Sequence, residues 1–158
     1  MSQIYPREIL PSLWVGIGCQ KGSSRLLIAT AIEKLFQEHQ LNENAIAGLA
    51  TIENKASEVG LIELCRLCSF PLKTFTAEIL STVSVPNPAK FAEKTVGTPS
   101  VAEAAAILAV SHITPCLTSK QELEIRLLVP KQIFRLQGEP KAVTIAVACL
   151  TKLFSKNS

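Results

Sequence analysis

The run Leu13-Trp14-Val15-Gly16-Ile17-Gly18-Cys19-Gln20-Lys21-Gly22-Ser23-Ser24 constrains the fold most, because a short apolar stretch empties into glycines, one lysine and two hydroxyls before a helical pattern begins. It predicts a strand at 13–18, a backbone-exposing loop, and a helix over 23–39 whose Ile28, Ile32, Leu35 and Phe36 share one face. Such a junction aims unpaired N–H groups and the positive end of a helix dipole at one spot, which suits a phosphate or a carboxylate. Gly16, Gly18, Cys19, Lys21, Gly22, Ser23 and Ser24 are therefore candidate ligand-binding residues. Two familiar loops fit poorly. A P-loop places its lysine after the last glycine, whereas Lys21 precedes Gly22; a dinucleotide fingerprint needs its third glycine where Lys21 stands. The competing reading is that the glycines only permit a tight turn.

At 158 residues the chain suits one domain, with 47% hydrophobic residues for a core and 18% charged residues, too few for disorder. A net charge of +3 argues against a nucleic-acid partner held by many phosphate contacts. Five cysteines without a regular framework read as thiols of a reducing, cytoplasmic compartment. Neither a secretory leader nor a bilayer-spanning run is visible, so no membrane partner is expected.

Along the chain, a second strand is predicted at 45–52, a helix through Leu61, Leu64 and Cys68, a short strand at 72–75 and a short helix within 76–83. Asn87 with Pro88 starts a further helix that Gly97 closes. The next helix runs through Ala104–Leu108; Pro99 favours Thr98 as its cap, while Glu103 favours a capping box with Ser100. Residues 111–122 read as a loop, and 125–134 with 142–150 as an antiparallel hairpin turning at Gln137–Pro140. The fold class is α/β: a single domain at 12–154, a mixed β-sheet flanked by helices with a C-terminal antiparallel hairpin, preceded by an extension at 1–11 and followed by a disordered tail at 155–158.

Cys65-Arg66-Leu67-Cys68 lies inside an apolar helical pattern, where ordinary half-buried cysteines are expected rather than a redox pair, and no second pair completes a zinc site. His39 and His112 lack matched triad partners. Lys21, Lys55 and Lys131 each stand where a strand-like segment meets a loop or Pro, as do Thr51 and Glu58 near the second strand's end. In an open α/β sheet such ends gather ligands, so these residues could join the glycine loop in a cationic cleft, although a lone lysine is by default solvated surface.

Val15-Gly16-Ile17-Gly18-Cys19-Gln20-Lys21-Gly22, Leu49-Ala50-Thr51-Ile52 with Lys55 and Glu58, Val85-Pro86-Asn87-Pro88, and Val96-Gly97-Thr98-Pro99-Ser100-Val101-Ala102-Glu103-Ala104-Ala105 resemble the C-terminal domain of the cobalamin-biosynthesis protein CbiG and its stand-alone relative CobE. The resemblance covers roughly 12–150. Gln20 stands where the family usually has Arg, Ser23 where it has Thr, and Cys149-Leu150 where it often has a basic residue. It implies a role in corrin-ring construction with a tetrapyrrole or corrinoid intermediate as partner, beside other enzymes of the pathway. Full-length CbiG, whose N-terminal part has no counterpart here, opens the lactone of cobalt-precorrin-5A and releases acetaldehyde. The resemblance leaves two readings open: a module that binds or handles a carboxylate-rich precorrin, which is preferred, and a lactone hydrolase or a subunit of one. For hydrolysis the candidate bases are Glu58 and Glu103, with the glycine loop or Lys55 as oxyanion stabiliser. For binding, Gly97, Thr98, Ser100 and Lys131 join the loop residues, Thr51 and Lys55. No metal or other cofactor is expected.

Overall fold

The computed structural model describes residues 12–83, 100–112 and 121–155, with the side chains of 121–124 and 151–155 left aside. The predicted strands form where apolar runs alternate faces: β1 (Leu13–Cys19), β2 (Ile46–Ile52) and β3 (Leu72–Phe75), then a long pair, β4 (Gln121–Arg135) and β5 (Ala142–Ser155). They make one five-stranded sheet in the order β3-β2-β1-β5-β4, in which β1, β2 and β3 are parallel and β5 runs antiparallel to both β1 and β4. The carboxyl ends of β1 and β4 and the start of β5 therefore share one edge.

Helices cover both faces. On one, α1 (Arg25–Glu38) and α2 (Val59–Cys68) bury Ile28, Leu35, Phe36 and Leu61 against Val15 and Ile17 of β1 and Ile145 of β5. On the other, α4 (Val101–Ser111) lies across the sheet with Ala105, Ala106 and Ala109 against Trp14, Ala50 and Ala148, and the one-turn α3 (Ala77–Leu80) adds Leu80. Small side chains on α4 let its backbone come close. A Cβ at Gly16 would overlap the Ala102 carbonyl oxygen and lie 2.8 Å from the Ala102 carbonyl carbon, so the helix seats directly on β1.

Three expectations need correction. Residues 111–122 are not a loop throughout, because Ser111 ends α4 and Gln121–Glu122 already pair with Phe154–Ser155. Strand β5 continues past Leu150 to Ser155, because β4 supplies ladder partners that far. Lys131 follows Pro130 as expected, but within β4 rather than at a carboxyl end where it could join the ligand cleft. Pro130 and Lys131 sit at a register shift between Val129↔Val147 and Gln132↔Ile145, and a bulge is where a strand tolerates a proline. The predicted helix between Asn87 and Gly97 lies outside the described residues, as does the tail beyond Ser155.

Gly16→Ala should lower the unfolding free energy by about 3 kcal/mol or more, since overpacking at a backbone contact cannot be relieved by a rotamer change. A urea titration checks this, and the equivalent change at Gly18, where an added Cβ would meet only ordinary contacts at 3.7 Å and 4.0 Å, should cost far less.

Candidate functional site

At the shared edge, β1 passes into the turn Gln20-Lys21-Gly22-Ser23. The Ser23 N–H donates to the Gln20 carbonyl at 3.0 Å, and Gly22 at φ 84° occupies the third position, the geometry of a type II turn. Ser24, not Ser23, caps α1: its hydroxyl oxygen accepts from the Leu27 N–H at 3.0 Å while its O–H donates to Glu139 Oε2 at 3.0 Å. Gln20 Oε1 accepts the Ala142 N–H at 2.7 Å. The loop is thus tied at two points to the β4–β5 hairpin, more than a hundred residues away in sequence.

The sequence left open which anion the loop faces. The fold supplies one of its own: the Gly22 N–H donates to Glu58 Oε1 at 2.9 Å. Glu58 precedes α2, whose Gly60 packs against the backbone of Ser23–Arg25, so the starts of α1 and α2 meet. Between them lies an open cavity of about 510 Å³ that mixes Lys21 and Arg25 with Glu58 and Glu63.

A second cleft, about 330 Å³, opens on the other side of the loop. Gly18 and Cys19 form its floor, Lys55 and Ile52 come from the end of β2, Val101 from the start of α4, and Arg135 with Thr144 from the hairpin. Among the described residues its charged lining side chains are Lys55 and Arg135, with no carboxylate. Burial pushes the Cys19 thiol up, an effect that nearby Lys55 opposes and Glu58 reinforces, so the thiol stays protonated beside these cations.

The predicted site residues separate accordingly. Gly18, Cys19 and Lys55 share the cationic cleft; Lys21, Gly22, Ser23, Ser24 and Glu58 line the larger cavity. Gly16 lies beneath α4. Thr51 is fully buried, its hydroxyl donating to the Ile17 carbonyl at 2.6 Å just beyond Gly16↔Ala50, the last paired residues of β1 and β2. Ser100, rather than Thr98, is the observed cap of α4, accepting the Glu103 N–H at 3.0 Å. Glu103 does not reach back to complete a capping box. Only 2% exposed, it accepts the Lys131 N–H at 3.0 Å, a donor that the bulge removes from the ladder. The Lys131 side chain is exposed and lines neither cavity. Gly97 and Thr98 lie outside the described residues.

Cys65 and Cys68 are both free thiols: Cys65 is buried and pushed up to about 11, by desolvation first and then by neighbouring Cys68, whereas Cys68 is exposed. Sequence reasoning missed Arg135, Ile133 and Thr144, which the hairpin brings to Gly18 through the pair Gly18↔Thr144.

Fold and site together define a three-layer α/β domain with a cationic cleft at the carboxyl edge of its parallel strands. Residues 13–148 match the family described as cobalamin synthesis G C-terminus, and the chain belongs to that family. The chain is 37% identical over 94 residues to the cobalt-precorrin-5A hydrolase of Salmonella typhimurium, a match covering 59% of this chain and 27% of that protein. It thus spans about a quarter of that relative's length. Among solved structures it is similar to CobE, a protein from the cobalamin biosynthetic pathway, at 26% identity and a TM-score of 0.66 over 89% of this chain and 95% of the other. The cobalamin biosynthesis protein chiG from Agrobacterium tumefaciens matches at 27% identity and a TM-score of 0.57, over 89% and 99%. No helix among the described residues is long and apolar enough to cross a membrane.

Glu103→Ala should destabilise the chain by about 2 kcal/mol by orphaning the Lys131 N–H, and Glu103→Gln, which keeps an acceptor, by about half of that or less. Chemical denaturation of the two variants checks the difference, and equal losses would remove the assigned bond.

Proposed function

We propose that this domain binds a carboxylate-rich corrin-ring intermediate at the carboxyl edge of the sheet, in the cleft between the β1 loop and the β4–β5 hairpin. The observation that carries the proposal is the lining of that cleft, whose described residues include Lys55 and Arg135 as positive charge and no carboxylate, with Ile52, Val101 and Ile133 as apolar surface. Intermediates of this pathway combine an apolar macrocycle with peripheral carboxylates. A few placed cations on an apolar wall complement that chemistry. Family membership supplies the pathway.

The second reading, lactone hydrolysis, is favoured by the relatives named cobalt-precorrin-5A hydrolase. It requires a base free to activate water. Glu103 is buried and holds the Lys131 N–H, while Glu58, which holds the Gly22 N–H through Oε1 alone, lines the other cavity. Binding therefore leads, with Ser100 placing the start of α4 beside the cleft and with Glu58 as the remaining acid for a hydrolytic role.

Cobyrinic acid, a polycarboxylate corrinoid, should bind the purified chain, and its affinity should fall at least about tenfold as salt rises from roughly 0.05 to 0.5 M, because exposed lysine and arginine attraction is screened over about 10 Å or less. Cobinamide, whose peripheral carboxylates are amidated, should bind weakly and with little salt dependence. Gly18→Val should weaken cobyrinic acid binding while leaving the urea midpoint nearly unchanged, since its side chain projects toward Thr144 and Val101. Absence of binding by cobyrinic acid would overturn the proposal, and acetaldehyde release from a lactone-bearing precorrin, lost in Glu58→Gln with binding retained, would establish the hydrolytic reading.

A further inference from the structure

We infer that Arg135 and Lys55 form a two-pronged clamp for separate carboxylates on one rim of the macrocycle, which is held edge-on with most of its faces left open. The inference rests on the polycarboxylate-binding reading above and deepens it.

Topology sets the spacing of the prongs. Lys55 follows β2 and Arg135 ends β4, and the order β2-β1-β5-β4 places three inter-strand steps between those strands. At about 4.8 Å per step their axes lie roughly 14 Å apart. Gly18, at the end of β1, sits between them without a side chain to block the floor. Cations entering from opposite sides of a bare floor suit a ligand whose negative charges are distributed along a rim.

Toward the described residues Arg135 leaves most of its donor capacity unused. Its single described hydrogen bond is Nη1 to the Pro140 carbonyl at 3.5 Å, at the long limit for such a bond, and a guanidinium carries five N–H donors in a planar fork suited to a carboxylate.

Volume sets the orientation. A cleft of about 330 Å³ is at the lower end of the range of about 300 to 1,000 Å³ that buries a drug-sized ligand, too small to enclose a macrocycle with several carboxylate arms. It admits a rim and its substituents. The larger cavity is the poorer host, because Glu58 and Glu63 line it and the Gly22 N–H there is already taken. Ile133, 63% exposed beside Arg135 in the cleft wall, gives the ring edge an apolar contact.

Cobyrinic acid binding by Arg135→Gln, Lys55→Gln, Lys21→Gln and Lys131→Gln, each checked for an unchanged unfolding midpoint, tests the clamp. The first two should each lose about tenfold in affinity and flatten the salt dependence, in line with the loss of one charge-assisted contact. The other two should stay within about twofold of the parent. The cobalt of bound cobyrinic acid should remain open to added cyanide on both faces, giving the dicyano visible spectrum without release of the corrinoid. Binding by the parent with Arg135→Gln and Lys55→Gln unaffected, or with Lys21→Gln the one that loses affinity, would overturn the clamp while leaving polycarboxylate binding intact. Protection of either cobalt face from cyanide would overturn the edge-on orientation. Failure of the parent chain to bind cobyrinic acid at all would instead remove the functional reading on which the clamp rests.

Discussion

The direct seating of α4 on β1 at Gly16 is the constraint on which the rest of the arrangement depends. Because nothing separates the Ala102 carbonyl from the strand, the helix lies low enough to place Val101 beside Gly18 and Glu103 beside the bulge of β4. The bulge in turn needs that carboxyl: Pro130 has no N–H to give, and the Lys131 N–H would otherwise lack a ladder partner. One missing side chain thus links the position of a helix, the tolerance of an irregular strand and the wall of a cleft. The alanines of α4 serve the same end, since larger residues would lift the helix from the sheet.

Charge is partitioned on the two sides of the β1 loop. On the α1–α2 side the fold answers its own exposed amide with Glu58, which fastens the turn to the start of α2. On the other side the described residues lining the cleft carry the cations Lys55 and Arg135 and no carboxylate. A loop held from α2's start by Glu58 and from the hairpin by Ala142 and Glu139 gives the cleft a fixed floor. Such preorganisation lowers the ordering cost of binding.

The strand, loop and helix around Gly16–Ser24 were legible because apolar runs, glycines and hydroxyl caps act over a few residues, and the hairpin turn at Gln137–Pro140 was legible for the same reason. The reach of β4 and β5 was not. The polar Gln121–Glu124 looks like loop until a partner strand supplies its hydrogen bonds. Thr51 shows a different limit: a hydroxyl in an apolar strand reads equally as a ligand group or as a donor to a neighbouring strand, and only the Ile17 carbonyl decides. Glu103 was visible as a capping-box partner, yet its acceptor capacity went to a backbone N–H 28 residues away. Arg135 carried no local signal, because its place in the cleft comes from pairing β5 with β1 and then β4 with β5.

Amide chemical-shift mapping of the cobyrinic acid complex tests the central claim most directly, because it locates the ligand without altering the protein. Ligand bound in the cationic cleft will shift Gly18, Gln20, Val101 and Thr144 and the Arg135 side-chain N–H groups, and leave Ser57–Glu63 close to their free positions. Shifts concentrated at Ser57–Glu63 and the start of α1, with Gly18, Arg135 and Thr144 unmoved, would contradict it.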